Sequence, residues 1–245
     1  MSLPPEEGWN IPFDSPFYPP LPARYRDVQF QFVFFRADPE GVARLLPEPL
    51  QPTDGQCVAI GIHVPFCTAY GAFDEAVVVE HCTFEGEEGW YVSHVWHDGP
   101  AGIAAGREIY GTPKIFSELE VKMAERTMLT RARMGDLPVI TVSSTMTGAC
   151  EVDDLPDLSP SWRLKIIPRA DGPGPAIKQL IDGSAAMQDL EVHECRRGKG
   201  TVEFGVSPLC DVTCLKPLAF GEAFYMEASY SEGFATIAHD YLAGE

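Results

Sequence analysis

The lysines carry the most informative chemistry in this sequence, because there are only six of them. Lys114 follows a proline and precedes Ile115 and Phe116, so its surroundings are apolar and stiff. A lysine in such a setting can act as a nucleophile: its neutral amine attacks a ketone and forms an iminium. The iminium then accepts electrons from a breaking C–C bond or a departing proton. A solvated lysine at the start of a strand is the alternative interpretation.

A catalytic amine and a metal site make different demands on the sequence. A free lysine has a pKa near 10.4, so attack near pH 7 requires its ammonium form to be disfavoured by about 4–5 kcal/mol. Burial in an apolar pocket or a nearby cation can supply this. A metal site has less support. His94 and His97 lie three residues apart on a predicted strand, so their side chains point to opposite faces and cannot share one ion.

The composition describes a globular chain with a large excess of acid. Among its 245 residues, 45% are hydrophobic and 22% charged, and the formal net charge is −18. Nucleic acids and anionic membrane surfaces require clustered Lys and Arg, so this charge argues against both as partners. The odd number of cysteines, with no Cys-x-x-Cys, predicts reduced thiols. An acidic, proline-rich start without the features of a signal peptide predicts a cytoplasmic protein.

Alternating apolar and polar residues predict a mainly β (α+β) protein, an antiparallel barrel or sandwich with a few peripheral helices. Residues 1–22 are predicted to form an extended N-terminal arm, and residues 23–245 a single domain. Strands are predicted at 28–35, 57–64, 76–84, 90–96, 115–123, 127–133, 139–146, 163–167, 190–194, 201–206 and 223–229.

Few segments are predicted to be helical. Asp38 is a suitable N-cap with Pro39 in the first turn, which predicts a short helix that ends by Leu46. Residues 99–110 are rich in small side chains, which is typical of a short helix or a tight loop. Further helices are predicted at 175–181 and 231–242, and the basic cluster 196–199 is predicted to be a hairpin tip.

Several segments, taken in order, resemble the acetoacetate decarboxylase family from about residue 16 onward. The sequence Gly-Arg-Glu-Ile-Tyr-Gly-Thr-Pro-Lys at 106–114 resembles the active-site segment of that family. The other similar segments are Leu-Pro-Glu-Pro-Leu at 46–50, Leu-Lys-Ile-Ile-Pro at 164–168 followed by Asp-Gly at 171–172, Val-His-Glu at 192–194 and Asp-Tyr-Leu at 240–242. The resemblance implies an antiparallel β-barrel-like fold, a homo-oligomer and no bound cofactor.

The resemblance also implies roles for individual residues. It makes Lys114 the Schiff-base lysine and places a family glutamate on Glu75, which would handle protons or hold the substrate. A solvated loop acid is the alternative for Glu75. Arg107 is a candidate clamp for a substrate carboxylate through its bidentate fork, or else part of a structural ion pair. Tyr110 and Trp96 are candidates for lining the pocket, although aromatic residues there are more often part of the core.

The chain departs from the family pattern at three charged positions. The second lysine that follows the catalytic one in the decarboxylases is Ile115 here. The arginine of the family's first strand falls on Val28, and a second family glutamate falls on Ile60. Arg26 lies two residues before Val28 and would share its face on a regular strand, so it is a candidate replacement for the missing arginine.

The resemblance and the departures from it imply three candidate functions. The first is a lyase that forms a Schiff base between Lys114 and a small oxo-acid and drives decarboxylation. The second uses the same lysine for aldol condensation of pyruvate or a similar oxo-acid with an aldehyde, followed by loss of water. In that reaction Glu75 or Tyr110 would move protons. The third is a non-catalytic barrel that binds a keto-acid or another small ligand.

Overall fold

Strands dominate the computed structural model, which describes residues 8–208 and 210–243. The strands are β1 (Ala23–Arg36), β2 (Gln51–Val64), β3 (Phe66–Cys67), β4 (Phe73–Phe84), β5 (Glu87–His97), β6 (Lys114–Phe116), β7 (Glu118–Ala124), β8 (Thr127–Met134), β9 (Leu137–Ala149), β10 (Ser161–Pro168), β11 (Pro175–Asp182), β12 (Met187–Phe204), β13 (Ala219–Glu232) and β14 (Thr236–Asp240). The helices are α1 (Pro39–Ala43) and α2 (Pro100–Ala105), with a π-helical turn at Gly106–Tyr110 and 3-10 turns at Val152–Asp154, Ser184–Ala186 and Thr213–Leu215.

These strands form one sheet in the order β14-β11-β10-β5-β4-β2-β1-β13-β12-β9-β8-β7, with β3 beside β1 and β6 beside β5. Among the strands of the described residues, β10 and β6 each pair parallel with β5, and the other pairs are antiparallel. The predicted mainly β fold is confirmed. The predicted barrel is not closed, because closure requires the end strands to pair, and within the described residues the path stops at β14 and β7.

The sheet folds over itself, and a buried polar network at Gln31 of β1 joins its two halves. Gln31 Nε2 donates to the Met128 carbonyl of β8 (2.9 Å) and to Ser144 Oγ of β9 (2.7 Å), while Thr130 Oγ1 donates to Gln31 Oε1 (2.7 Å). Gln31 and Thr130 are completely buried, so these bonds replace the water that both side chains lose. Gly61 of β2 permits this approach, since a Cβ there would collide with Thr130.

Alternation along the strands divides the apolar side chains between two main cores. The first core includes Val33, Ala76, Val78, Trp96, Ile140 and Val142. The second core includes Val28, Phe30, Ile60, Val77, Val95 and Met226. In β4, Ala76 and Val78 belong to the first core and Val77 to the second, as a period of two requires. Glu75 lies two residues before Val77 and therefore faces the side of the second core.

The helix at Asp38 is confirmed, although it is shorter than predicted. The Asp38 side chain accepts the N–H of Glu40 at 3.2 Å, Pro39 lies in the first turn, and α1 ends at Ala43. The alternatives for residues 99–110 are settled in favour of a helix, α2, and its π-helical continuation. Among residues 8–208 and 210–243, no helix has the length and hydrophobicity needed to cross a membrane.

Three predictions about secondary structure were wrong. Residues 175–181 form β11, and residues 231–242 contain the end of β13 and all of β14, because strand pairing with β10 and β11 overrides local helical preference. The cluster 196–199 is not a hairpin tip. It lies inside β12, where Arg197 pairs with Gly148 of β9 and with Phe224 of β13, so the predicted strands 190–194 and 201–206 are parts of one strand.

Residues 8–22 of the predicted arm precede β1, and residues 1–7 lie outside the described part of the chain. Asn10 Nδ2 donates to the Tyr18 carbonyl (2.7 Å), which folds the segment back on itself. Trp9 packs edge-on against Tyr18 and Phe234, with ring centroids 6.5 and 6.2 Å apart. Tyr18 Oη donates to Glu108 Oε2 (2.6 Å), so the arm is attached next to the segment that precedes Lys114.

Candidate active site

Lys114 opens the short strand β6, and the chain around it fixes the direction of its side chain. Lys114 lies opposite Val95 of β5. The turn before it passes through Gly111 at φ 70°, a left-handed conformation that glycine adopts without steric cost. Gly106 lies against the lysine stem, where a Cβ would come within 2.7 Å of Cδ. The side chain is therefore confined between β5 and residues 106–113.

Lys114 forms a buried ion pair with Glu75. Nζ lies 2.9 Å from Oε1, and only 14% and 11% of the two side chains are exposed. Glu75 lies inside β4, opposite His97 of β5, so the solvated loop acid is excluded. Burial is the largest single effect and would raise the pKa of Glu75. The charge and hydrogen bond of Lys114, together with the smaller effects of His97 and Arg163, outweigh it, so the net pKa lies below the ordinary value.

This pair both supports and constrains a nucleophilic role for Lys114. The side chain is buried, as the chemistry requires, yet the amine lies in direct contact with a carboxylate. The amine must lose a proton before it can attack a carbonyl carbon. Glu75 Oε1 is within proton-transfer distance and can accept that proton.

His97 belongs to this site, in agreement with the sequence, which disfavoured a shared metal ion with His94. The ring is completely buried and stacks on Phe73 with 4.4 Å between centroids. Nδ1 accepts the Gly99 N–H (2.7 Å), and Nε2 has no partner among the described residues. Burial lowers the pKa of His97 to about 4, so the ring is neutral at pH 7. His94 lies on the opposite face and stacks on Trp96, as predicted.

A second carboxyl group reaches the site from β13. Tyr25 Oη donates to Glu232 Oε2 (2.8 Å), and the Tyr25 ring stacks on Tyr230 at 4.6 Å. Burial raises the pKa of Glu232, and the charge of Lys114 offsets only part of this effect. The pKa values of Glu75 and Glu232 are thus moved in opposite directions, which is the arrangement of a base and an acid that work together.

A guanidinium group approaches from β10. Trp162 points into a third core, with Phe84 and Leu180, so the next residue, Arg163, faces the other way, toward the site. Burial lowers the pKa of Arg163, and the negative charge of Glu232 opposes that shift. Neither Arg163 nor Glu232 belongs to a motif that marks it in the sequence. For Arg163, a charged residue directly after a tryptophan in a predicted strand was the available signal.

Two predicted site residues hold the segment before Lys114. Arg107 is exposed, and its Nη1 donates to the main-chain carbonyl of Lys114 (3.1 Å). Tyr110 is buried, and its hydroxyl donates to the Gly233 carbonyl (2.7 Å), directly after Glu232. Burial raises the pKa of Tyr110, and the charge of Glu232 adds to the effect. Tyr110 therefore lies close to Glu232. The hydrogen bond of Arg107, in contrast, goes to the main chain.

The structure does not bring Trp96 and Arg26 into this cluster. Trp96 is completely buried in the first core, on the opposite face of β5 from His97. The guanidinium of Arg26 lies over the Phe66 ring, 3.9 Å from its centroid. The expectation that Arg26 shares a face with Val28 was wrong, because a bulge with Asp27 at φ 54° interrupts the alternation of β1.

Val28, Ile60 and Ile115, which replace charged residues of the family, are apolar side chains in apolar surroundings. Val28 and Ile60 are buried side chains of the second core. Ile115 packs against the first core, beside Trp96. No buried charge is left unpaired at these positions. A groove of about 510 Å³ has Tyr25 and Arg26 in its wall, but Lys114, Glu75 and Glu232 are not part of its lining.

Comparison with known proteins identifies the family of this chain. The profile of the family described as "Acetoacetate decarboxylase (ADC)" matches residues 2–242. The chain is 30% identical over 241 residues to acetoacetate decarboxylase 1 of Bradyrhizobium diazoefficiens, an alignment that covers 96% of this chain and 94% of that protein.

Solved structures show the same fold. The acetoacetate decarboxylase of Legionella pneumophila superposes with a TM-score of 0.86 at 22% identity, covering 99% of this chain and 100% of that one. The enduracididine biosynthesis enzyme MppR, complexed with the condensation product of pyruvate and imidazole 4-carboxaldehyde, gives a TM-score of 0.82 at 20% identity and covers 96% of this chain and 97% of that one. From the profile match and the 30% identical relative, the chain belongs to the acetoacetate decarboxylase family.

Proposed function

We propose that this protein is a carbon–carbon lyase in which Lys114 forms a Schiff base with a small oxo-acid. The observation that carries the proposal is the buried contact of 2.9 Å between Lys114 Nζ and Glu75 Oε1, in a chain of the acetoacetate decarboxylase family. Glu232 adds an acid with a raised pKa. An amine, a proton acceptor and a proton donor are the groups that this chemistry requires.

The proposed steps use these groups in order. Lys114 passes a proton to Glu75, Nζ attacks the ketone carbon, and loss of water leaves an iminium. In decarboxylation, the bond to the carboxylate carbon breaks, its electrons move to the iminium nitrogen, and carbon dioxide leaves. Glu232 then protonates the enamine carbon, and water hydrolyses the new iminium to release the ketone and free Lys114. No cofactor takes part in these steps.

Aldol condensation with dehydration is the second candidate. It is supported by the similarity to MppR, whose structure holds a condensation product of pyruvate and an aldehyde. The apolar residues Val28, Ile60 and Ile115, at positions where the decarboxylases carry charge, favour it too. Here Glu75 takes a proton from the carbon next to the iminium, and the resulting enamine attacks the aldehyde carbon. Tyr110, as a neutral phenol, can donate a proton to the aldehyde oxygen. The new hydroxyl group then leaves as water.

Borohydride trapping tests the Schiff base directly. Incubation with acetoacetate or with pyruvate, followed by borohydride, converts the imine into a stable secondary amine. Trypsin does not cleave after an alkylated lysine, so labelling at Lys114 produces an uncleaved peptide over residues 108–122 whose mass identifies the adduct. Lys122 lies in the same peptide with 70% of its side chain exposed, and serves as an internal control for non-specific labelling.

The possible results separate the candidate functions. An isopropyl adduct from acetoacetate, with carbon dioxide release, supports decarboxylation. A pyruvate adduct without gas release, and an unsaturated product once an aldehyde is added, supports condensation with dehydration. If Lys114 carries no adduct with either acid, the Schiff base is refuted, and a non-catalytic binding protein becomes the preferred function.

We also propose that the protein acts in the cytoplasm as a homo-oligomer, without a nucleic-acid or membrane partner. The net charge of −18 opposes binding to polyanions. Exposed apolar side chains such as Phe116 (63% exposed) and Leu218 (66% exposed) offer surfaces for association between copies. Light scattering coupled to size-exclusion chromatography measures the number of subunits, and a monomer at micromolar concentration would contradict the proposed oligomer.

A further inference from the structure

Arg163 is a charged side chain at the site whose hydrogen bonds are incomplete. A guanidinium carries five N–H donors. In the described part of the chain, its hydrogen bond goes to the Ser161 carbonyl (3.3 Å), and its buried Nε has no partner. Gly183 makes room for the group, since a Cβ there would collide with Nη1. Arg163 is half-buried, and its buried Nε has lost water without gaining an acceptor, which is costly. This indicates that a ligand supplies the missing acceptor.

The charges around Arg163 indicate the sign of that ligand. Lys114 and Glu75 neutralise each other through their direct contact. Glu232 acts on the charge of Arg163 from a distance, and the hydrogen bond of its carboxyl group is made with Tyr25 (2.8 Å). Asp182 is the other nearby acid, but its Oδ1 accepts two hydrogen bonds from Ser184, through N and Oγ. In the described part of the chain, none of these carboxylates bonds directly to Arg163, so its partnerless Nε suits an acceptor oxygen of an anionic ligand.

We propose that Arg163 binds the carboxylate of the oxo-acid whose ketone reacts with Lys114. This inference rests on the proposed function and narrows its substrate to an oxo-acid that keeps its carboxylate, such as a 2-oxo acid. A carboxylate that leaves as carbon dioxide loses its charge, so a guanidinium bound to it stabilises the ground state more than the transition state. A retained carboxylate keeps the same bidentate contact throughout the reaction. Arg163 of β10 thus supplies a positive charge in a protein that has Val28 and Ile115 where the decarboxylases carry charged residues.

The experiment compares pyruvate with its uncharged methyl ester in borohydride trapping at Lys114. Because the two ketones differ in intrinsic reactivity, the measured quantity is the change in each half-saturating concentration between variants. We expect Arg163→Met to raise the half-saturating concentration of pyruvate about 10–100-fold and to leave that of the ester unchanged. Arg163→Lys should raise it less. Arg169→Met, at an exposed arginine just beyond β10 that pairs with Asp171, is the matched control and should change neither value.

Gly183→Ala tests the geometry without removing the charge. The backbone at Gly183, φ −87° and ψ 0°, accepts alanine, so the new Cβ displaces the guanidinium and should also weaken trapping of pyruvate alone. If Arg163→Met does not fold, Gly183→Ala provides the test of carboxylate binding by Arg163. An unchanged pyruvate value overturns the proposal, and an equal change for acid and ester reduces Arg163 to a structural role, which also overturns it.

Failure of the proposed function gives a different pattern. If the wild-type protein traps neither compound, the Schiff base is refuted, and calorimetry with pyruvate then tests Arg163 by itself. Binding that is lost in Arg163→Met but kept in Arg169→Met supports the carboxylate site. Equal binding by wild type and Arg163→Met overturns it.

Discussion

Gly106 lies directly against Lys114, and a Cβ at position 106 would come within 2.7 Å of the lysine Cδ. The backbone at Gly106 is right-handed helical, with φ −59° and ψ −42°, so alanine suits the chain but not the available space. We expect Gly106→Ala to move the amine away from Glu75 and to slow trapping at Lys114 about 100-fold, the effect of a displacement of about 1 Å. Gly148→Ala, where a Cβ meets nothing within 4 Å, is the control. Similar rates in both variants would contradict this positioning.

The ion pair of Lys114 and Glu75 should be visible as a coupling energy. Glu75→Gln leaves a buried ammonium without its counter-charge, so we expect the free energy of unfolding to fall by about 3–5 kcal/mol. The double variant with Lys114→Met removes both charges and should recover most of the loss. Urea denaturation at pH 7 measures all of these values, and a double variant as unstable as Glu75→Gln would show that the pair is not coupled.

The same pair predicts how stability depends on acid pH. The folded-state pKa of Glu75 is lowered from its ordinary value of 4.5. The contribution of the carboxylate is therefore fully present above about pH 4.5 and is lost as the pH falls through the folded-state value. The difference in free energy of unfolding between wild type and Glu75→Gln should be constant from pH 6 to 8 and should shrink below pH 5. A difference that grows in acid would contradict the direction of this shift.

Glu232 should act after the Schiff base has formed. We expect Glu232→Gln to be trapped by borohydride at nearly the wild-type rate, while product release slows by about 100-fold or more because the enamine lacks its proton donor. Tyr25→Phe keeps the carboxyl group and loses only the hydrogen bond to it, so most turnover should remain. Stopped-flow trapping and steady-state turnover separate the two steps. Loss of trapping in Glu232→Gln would assign Glu232 to the attack of the amine instead.

A buried acid outside the site sets a second pH dependence. Glu80 is completely buried, Ser93 Oγ donates to its Oε1 (2.5 Å), and burial raises its pKa to about 8. Because the folded-state pKa exceeds the unfolded value, the contribution of Glu80 is fully present below about pH 4.5. It is lost as the pH rises toward 8, by about 3 kcal/mol at pH 7. Glu80→Gln lacks this titration, so its stability relative to wild type should rise between pH 5 and 8. A constant difference would contradict the shift.

The strands could be predicted because one face of each is buried, which leaves a period of two in the sequence. That period does not reveal which strand lies opposite which. Arg163 and Glu232 lie on β10 and β13, and their charges meet only after the sheet has folded over. Lys114 and Glu75 were identified by resemblance, and the structure places them in contact.

Local irregularities account for the errors. A single residue, Asp27 at φ 54°, changes the face on which Arg26 lies, and no hydropathy pattern announces such a bulge. Residues 175–181 contain good helix formers, but the neighbouring strands supply hydrogen-bond partners that a local window cannot include. The charged cluster 196–199 suggested a turn because its exposed side chains resemble those of a loop.

The pairing of β1 with β13, in which Ala23 lies opposite Glu232, has a consequence for how the protein is made. It joins chain segments about 200 residues apart, and such distant contacts form late in folding. A ribosome releases Lys114 long before it has synthesised Glu232, so the nascent chain carries its nucleophile without the acid and without the strand that completes the middle of the sheet. Fragments that stop before residue 219 should therefore have the lysine but neither its surroundings nor its chemistry.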